Sequence, residues 1–178
     1  PMADEKTDAL VVGAGFAGLY MLHRLRGMGL QARVVEAGGD VGGTWYWNRY
    51  PGAACDVESY IYLPLCEELN FVPKEKYTHA PEILAHSRAI GEKFDLYKDA
   101  CFQTEVTGME WEESSKRWIV TTNRNDRMRA KYVVMSNGPL NRPKLPGIEG
   151  IDTFKGHTFH TSRWDYNYTG GGPEGNLT

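Results

Sequence analysis

Three glycines at a fixed spacing, Gly13, Gly15 and Gly18, stand ahead of an acid, Glu36, eighteen residues beyond the last of them. Each position has its own physical reason. Gly13 permits a tight turn, Gly15 lets the backbone approach a diphosphate, and Gly18 lets a helix pack closely on a sheet. Unpaired N–H groups and the positive end of the helix dipole then favour phosphate at that helix start. A carboxylate at position 36 accepts hydrogen bonds from a ribose and repels a 2′-phosphate. The chemistry this pattern predicts is the binding of FAD or NAD, and not NADP, at the N-terminal site.

A glycine triplet alone occurs in many loops, so the elements around it decide its weight. Ala9–Val12 is a short apolar strand that runs straight into the glycines. Leu19, Leu22 and Leu25 recur at helical spacing up to about Arg26, and Gly27 and Gly29 end that helix. Residues 31–36 read as a second strand that closes on Glu36, which completes a β-α-β unit. From Ala37 to Tyr62 the chain reads as a long Gly- and aromatic-rich loop, a length that points to function. Within it Gly42-Gly43 allows close approach to a ligand, Trp45, Trp47 and Tyr50 offer flat surfaces, and Asp56 brings a charge. A helix is expected from Pro81 through Leu96, with Ile83, Ser87, Ile90 and Phe94 on one face. Strand-like runs at 102–111, 117–122 and 128–135, with turns near Ser114-Ser115 and Asn123–Asp126, predict an antiparallel meander. Beyond Pro139 the chain is Pro/Gly-rich and reads as loop, with Thr169–Pro173 as a linker.

Bulk composition narrows the classes. The 178 residues are 41% hydrophobic and 24% charged, enough for one globular domain or one and the start of another. A net charge of −3 favours neither nucleic acid nor acidic membranes as partners. No apolar stretch reaches the length of a transmembrane helix, and the polar start resembles no signal peptide. Cys55, Cys66 and Cys101 form no CxxC pair, so neither a disulfide framework nor a metal site is expected. The sequons at Asn167 and Asn176 read as chance, and the cytoplasm is the expected compartment.

The run from Gly38 to Asp56 resembles the fingerprint of type I Baeyer–Villiger monooxygenases, [AG]GxWxxxx[FY]P[GM]xxxD, through Gly42, Gly43, Trp45, Tyr50, Pro51, Gly52 and Asp56. A second run, Phe154 to Asp165, resembles FxGxxxHxxxW[PD] through Phe154, Gly156, His160, Trp164 and Asp165. Flavin-containing and N-hydroxylating monooxygenases share Phe154, Gly156 and His160, whereas Trp164-Asp165 points to the Baeyer–Villiger group. The likeness runs from about Thr7 to Trp164.

That resemblance implies an α/β, Rossmann-like FAD-binding domain of the glutathione-reductase type with an antiparallel β-meander insertion. It implies FAD and NADPH as cofactors, with O₂ and a ketone as substrates. Reduced FAD would form a C4a-peroxide, which attacks the ketone and yields an ester or lactone. By position it assigns Gly13, Gly15, Phe16, Ala17, Gly18, Glu36, Ala37, Gly43, Thr44, Trp45, Asp56 and Tyr62 to FAD, with the Val106 backbone at the adenine. Ala54, Cys55 and Asp56 fall where the nicotinamide meets the flavin. Asp56 is the one catalytic residue assigned, as support for an arginine that steadies the anionic peroxide. His160 and Trp164 belong to the linker between domains, His160 as a structural hydrogen-bonding residue. Residues 7–140 are expected as the FAD domain, and 141–178 as a linker toward an NADP domain. Family members are far longer, so the rest of the polypeptide is an expected partner and this chain alone is expected to be inactive. Two other classes stay open: an N- or S-oxygenating flavin monooxygenase, and a non-catalytic FAD-binding module. A disulfide reductase of the same fold would need a redox cysteine pair after the second strand, where only Cys55 is nearby.

Overall fold

The computed structural model describes residues 5–173. Its strands are β1 (Glu5–Val12), β2 (Ala32–Val35), β3 (Ala100–Cys101), β4 (Val106–Glu112), β5 (Arg117–Thr122) and β6 (Arg127–Met135). Its helices are α1 (Phe16–Gly27), the single turns α2 (Thr44–Trp47), α3 (Ser59–Tyr62) and α4 (Cys66–Leu69), then α5 (Ala80–Lys93) and the turn α6 (Tyr166–Thr169). All six strands form one sheet in the order β3-β2-β1-β6-β5-β4. β1 pairs in parallel with β2 on one side and β6 on the other, whereas β4, β5 and β6 pair antiparallel. The meander is therefore no separate layer. Its last strand enters the parallel sheet beside β1 and extends it.

The Ala9–Val12 half of β1 is apolar without alternation because both its faces are covered. Ala9 and Val11 point one way, against Leu19 and Leu22 of α1, Val34, and Ile90 of α5. Leu10 points the other way, against Val35, Val120, Met128 and Ala130. Burying a side chain such as Leu22 contributes about 1.5–3 kcal/mol. A third cluster lies under the long connection and joins Trp45, Ala53, Cys55, Leu63, Ile83 and Leu84. The end of α1 is tied to the end of α5: Arg26 donates to the Phe94 and Asp95 carbonyls at 3.2 and 2.9 Å and pairs with Asp99.

Three expectations change. The run expected to start at Phe102 begins as β4 at Val106 instead. Phe102 packs on the first core, and Ala100–Cys101 forms β3, a parallel partner of β2. The loop from Ala37 to Tyr62 holds two helical turns, because Gly42-Gly43 and the Asp56–Glu58 segment leave short runs free to close one turn each. α5 ends at Lys93 rather than Leu96, since Asp95 takes a left-handed backbone with φ +51°. The tail beyond Pro139 is mostly irregular, as expected, but Asp165 caps α6 by accepting from the N–H groups of Asn167 and Tyr168. The Asn167 sequon sits in α6, and the Asn176 one lies outside the described residues.

Candidate functional site

The loops after β1, β2 and β6 meet at the carboxyl edge of the sheet, where α/β folds bind ligands. A cavity of about 870 Å³ opens there. Glycine geometry makes the meeting possible. A Cβ on Gly13, at φ +101°, would lie 2.5 Å from the Ser136 carbonyl oxygen, and one on Gly18 would lie 1.8 Å from that of Gly13. A Cβ on Gly43, at φ +54°, would come within 2.9 Å of the Gly15 Cα. The two glycine motifs thus abut, and the Gly42 N–H donates to the Ala14 carbonyl at 2.9 Å. A Cβ on Gly15 would meet nothing in the protein closer than 3.6 Å. Its space is open to the cavity. α1 starts at Gly15 with no side-chain cap and no acid in its first turn. Its leading N–H groups thus face the cavity without a competing carboxylate.

Glu36 is buried at 6% exposure and lines the cavity. Its carboxylate accepts from the Ala14 N–H at 2.7 Å and the Gly38 N–H at 2.6 Å, so it also holds the two loops in register. Two bonds leave a carboxylate with further lone pairs for a ribose hydroxyl. At the other end, the Trp45 indole donates to the Tyr62 hydroxyl at 2.7 Å, with ring centroids 6.0 Å apart and near-perpendicular. Burial pushes the Tyr62 phenol up, so it stays protonated. Phe16 meets Tyr62 edge-on at 5.8 Å.

Gly13, Gly15, Phe16, Ala17, Glu36, Ala37, Gly43, Thr44, Trp45, Tyr62 and Val106 all line this one cavity. Gly18 does not; it lies in the first turn of α1, packed against the Gly13 carbonyl with no room for a Cβ. Ala54, Cys55 and Asp56 are not brought to the cavity. Ala54 pairs as a bridge with His79, Cys55 is buried in the third cluster, and Asp56 is exposed. Asp56 is nonetheless close enough to Tyr62 for its charge to help push the phenol up. Among the described residues no group of side chains could hold a metal.

Parts of the wall were not anticipated as site, among them Ser136 to Arg142, which also lines the cavity. Asn48 donates to the Leu140 carbonyl at 3.2 Å, and Arg142 pairs with Glu105 at 3.4 Å. The signal was present, since Ser136-Asn137-Gly138 reads as a strand entering a turn. Only the pairing of β6 with β1 puts that turn at the ligand edge.

The second fingerprint folds on itself beside this wall. The ring of His157 stacks on Tyr168 at 4.3 Å and its Nε2 lies 2.8 Å from an Asp165 carboxylate oxygen. Trp164 meets Phe159 edge-on at 5.1 Å and donates to the Thr169 hydroxyl. His160 Nδ1 accepts from the Ser162 N–H at 3.1 Å, a structural cap as expected. The knot touches the first fingerprint: the Arg163 guanidinium sits 4.1 Å over the Trp47 ring, and the Tyr166 hydroxyl donates to the Arg49 carbonyl.

The βαβ unit, the glycine cradle and the buried acid define a Rossmann-type dinucleotide-binding domain. Residues 11–71 match the family described as NAD(P)-binding Rossmann-like domain. A Baeyer–Villiger monooxygenase of Streptomyces coelicolor is 55% identical over 175 residues, 98% of this chain and 29% of that protein. The polycyclic ketone monooxygenase of the fungus Thermothelomyces thermophila superposes with a TM-score of 0.91 at 39% identity, over 96% of this chain and 29% of its own. OTEMO, solved in complex with FAD and NADP, superposes with a TM-score of 0.83 at 37% identity, over 89% of this chain and 31% of its own. Along nearly its whole length the chain is similar to part of these Baeyer–Villiger monooxygenases. It spans about 30% of the length of the curated relatives it matches.

Proposed function

We propose that this chain forms the FAD site of an NADPH- and O₂-dependent Baeyer–Villiger monooxygenase that converts ketones to esters or lactones. The observation that carries this reading is the convergence of both glycine motifs, Glu36, Trp45 and Tyr62 on one cavity. FAD fits what lines it. The uncapped start of α1 suits a diphosphate, the open side of Gly15 suits close approach, and Glu36 suits a ribose without a 2′-phosphate. Val106 on the edge strand β4, Trp45 and Tyr62 all line the cavity, which supports assigning Val106 to the adenine and Trp45 and Tyr62 to the flavin. When bound and reduced by NADPH, FAD supplies the activation of O₂ that the chemistry needs.

The chain's own residues bind and shield. Glu36 orients the ribose, Phe16 and Trp45 keep water from the ring system, and the protonated Tyr62 offers a donor to it. Asp56 acts through charge, at the approach of the nicotinamide, and steadies an arginine carried elsewhere in the polypeptide. Residues 7–140 form the FAD domain, and 141–178 lead toward the NADP domain. NADPH, O₂, the ketone and the remaining polypeptide are the partners, with no nucleic acid or membrane. No helix of the described residues is long and apolar enough to cross a membrane. Among the described residues no disulfide joins Cys55, Cys66 and Cys101, which suits the cytoplasm.

The test is product analysis with the full-length protein, NADPH, O₂ and either a cyclic ketone or a tertiary amine. A lactone from the ketone is the expected product. An amine oxide alone would move the protein to the N-oxygenating class. Bound flavin that NADPH does not reduce would make the domain a non-catalytic module.

A further inference from the structure

His86 stands on α5 at 2% exposure, one layer behind the cavity wall. Its Nε2 lies 2.7 Å from the Pro64 carbonyl oxygen. A carbonyl only accepts, so Nε2 carries the proton and the neutral ring has a bare Nδ1. That Nδ1 is buried and has no hydrogen-bond partner among the described residues. The imidazole lies against Phe71, with ring centroids 4.6 Å apart, and meets Phe16 edge-on at 6.0 Å. Phe16 in turn touches Tyr62, and both line the cavity. One side chain thus braces both aromatic wall residues: Phe16 by contact, and Tyr62 through the turn that reaches Pro64 two residues later.

We propose that His86 is a positioning residue for the cofactor cavity, holding Phe16 and Tyr62 for FAD as a neutral imidazole and releasing them on protonation. The proposal rests on the FAD reading above. A proton on Nδ1 would place a charge and a donor where no described residue accepts. Titratable groups stand on every element around it: Glu82 one turn back on α5, Cys66, Glu67 and Glu68 on α4, and His23 and Arg26 on α1. Of these only Glu82 acts on the ring, and it favours the cation. Burial outweighs both Glu82 and the Pro64 carbonyl and holds the imidazole below its ordinary 6.5. The released or unfolded state therefore binds the proton more readily than the braced one. Stability from the brace is complete above that ordinary value and is lost as pH falls below it.

The experiment measures FAD affinity of the full-length protein from about pH 8 to about pH 5 by quenching of flavin fluorescence. His86→Gln keeps an N–H donor for Pro64 but cannot titrate. Parent affinity should fall about tenfold between pH 7 and pH 5. His86→Gln should lose most of that slope. His86→Phe, which fills the space without the donor, should bind more weakly throughout and be equally flat. A His86→Gln variant that keeps the parent's slope would overturn the proposal. If the parent held no FAD at any pH, the cofactor assignment would fail instead, and thermal melting would decide the brace. A parent Tm that falls with pH while that of His86→Gln does not supports it, and equal slopes overturn it.

Discussion

The cradle around Gly13 and Glu36 and the tail beyond Pro139 both carry family fingerprints, yet they are built in opposite ways. The cradle is made of backbone. Gly13, Gly18 and Gly43 are there because a Cβ would strike a carbonyl or another Cα, and Ala9, Leu10, Val11, Val34 and Val35 of its strands are buried. The tail is made of side chains that mostly touch one another. The three apolar clusters take in no described residue beyond Val134. Leu140, Leu145, Ile148 and Phe154 are each more than 60% exposed. Arg163 over Trp47 and Tyr166 on Arg49 are among its few ties to the cradle. A rigid site and a lightly held arm are thus written in one short sequence, and only the first should resist substitution poorly.

The sharpest break in that contrast comes from Gly18→Ala. Its Cβ would lie 1.8 Å from a backbone oxygen that cannot move without shifting Gly13. We expect a loss of about 3 kcal/mol in stability, with FAD retention abolished, measured by melting and by flavin content. An alanine protein that melts and binds like its parent would show that the loop is not locked. Glu36→Ala comes next. It removes the acceptor for two buried N–H groups and for the ribose, which should cost about 1.5–3 kcal/mol of FAD binding. Unchanged FAD occupancy after purification would count against the role.

Arg163→Ala tests the other side of the comparison. Losing a partly exposed cation–π contact should cost about 0.5–1 kcal/mol in stability and leave FAD affinity unchanged. A drop in FAD affinity as large as that of Glu36→Ala would mean that the tail forms part of the site. Asp56→Ala should likewise spare binding, since Asp56 lies outside the cavity lining and is exposed. FAD should stay bound within about 0.5 kcal/mol, as for other surface changes, while reduction by NADPH or oxygenation of ketone slows. Stopped-flow flavin absorbance separates those two steps. Parent rates for both would return Asp56 to a loop residue.

The cradle was legible because its determinants are local. A strand, a glycine triplet, a helical repeat and an acid occur within one short stretch, and each is demanded by sterics at its own position. On that stretch Gly13, Gly15, Phe16, Ala17, Glu36 and Ala37 line one cavity, whereas Gly18 does not. What could not be read needed long-range pairing. Residues 100 and 101 carry no strand signal of their own and become β3 only because β2 offers an edge. The Ser136–Arg142 wall depends on β6 pairing with β1, more than a hundred residues apart in sequence. His86 reads as one polar residue on a helix, and its burial between Phe16 and Phe71 follows from packing of three separate elements.

FMN lacks the AMP half of FAD, and with it the adenosine ribose and one of the two phosphates that the glycine cradle and Glu36 are built to hold. The most direct measurement therefore strips the full-length protein of flavin and titrates it with FAD and with FMN under the same conditions. FAD should bind at least about a hundredfold more tightly, a difference of roughly 2.7 kcal/mol. Equal affinities for the two flavins would contradict an ADP-binding cradle at Gly13 to Glu36.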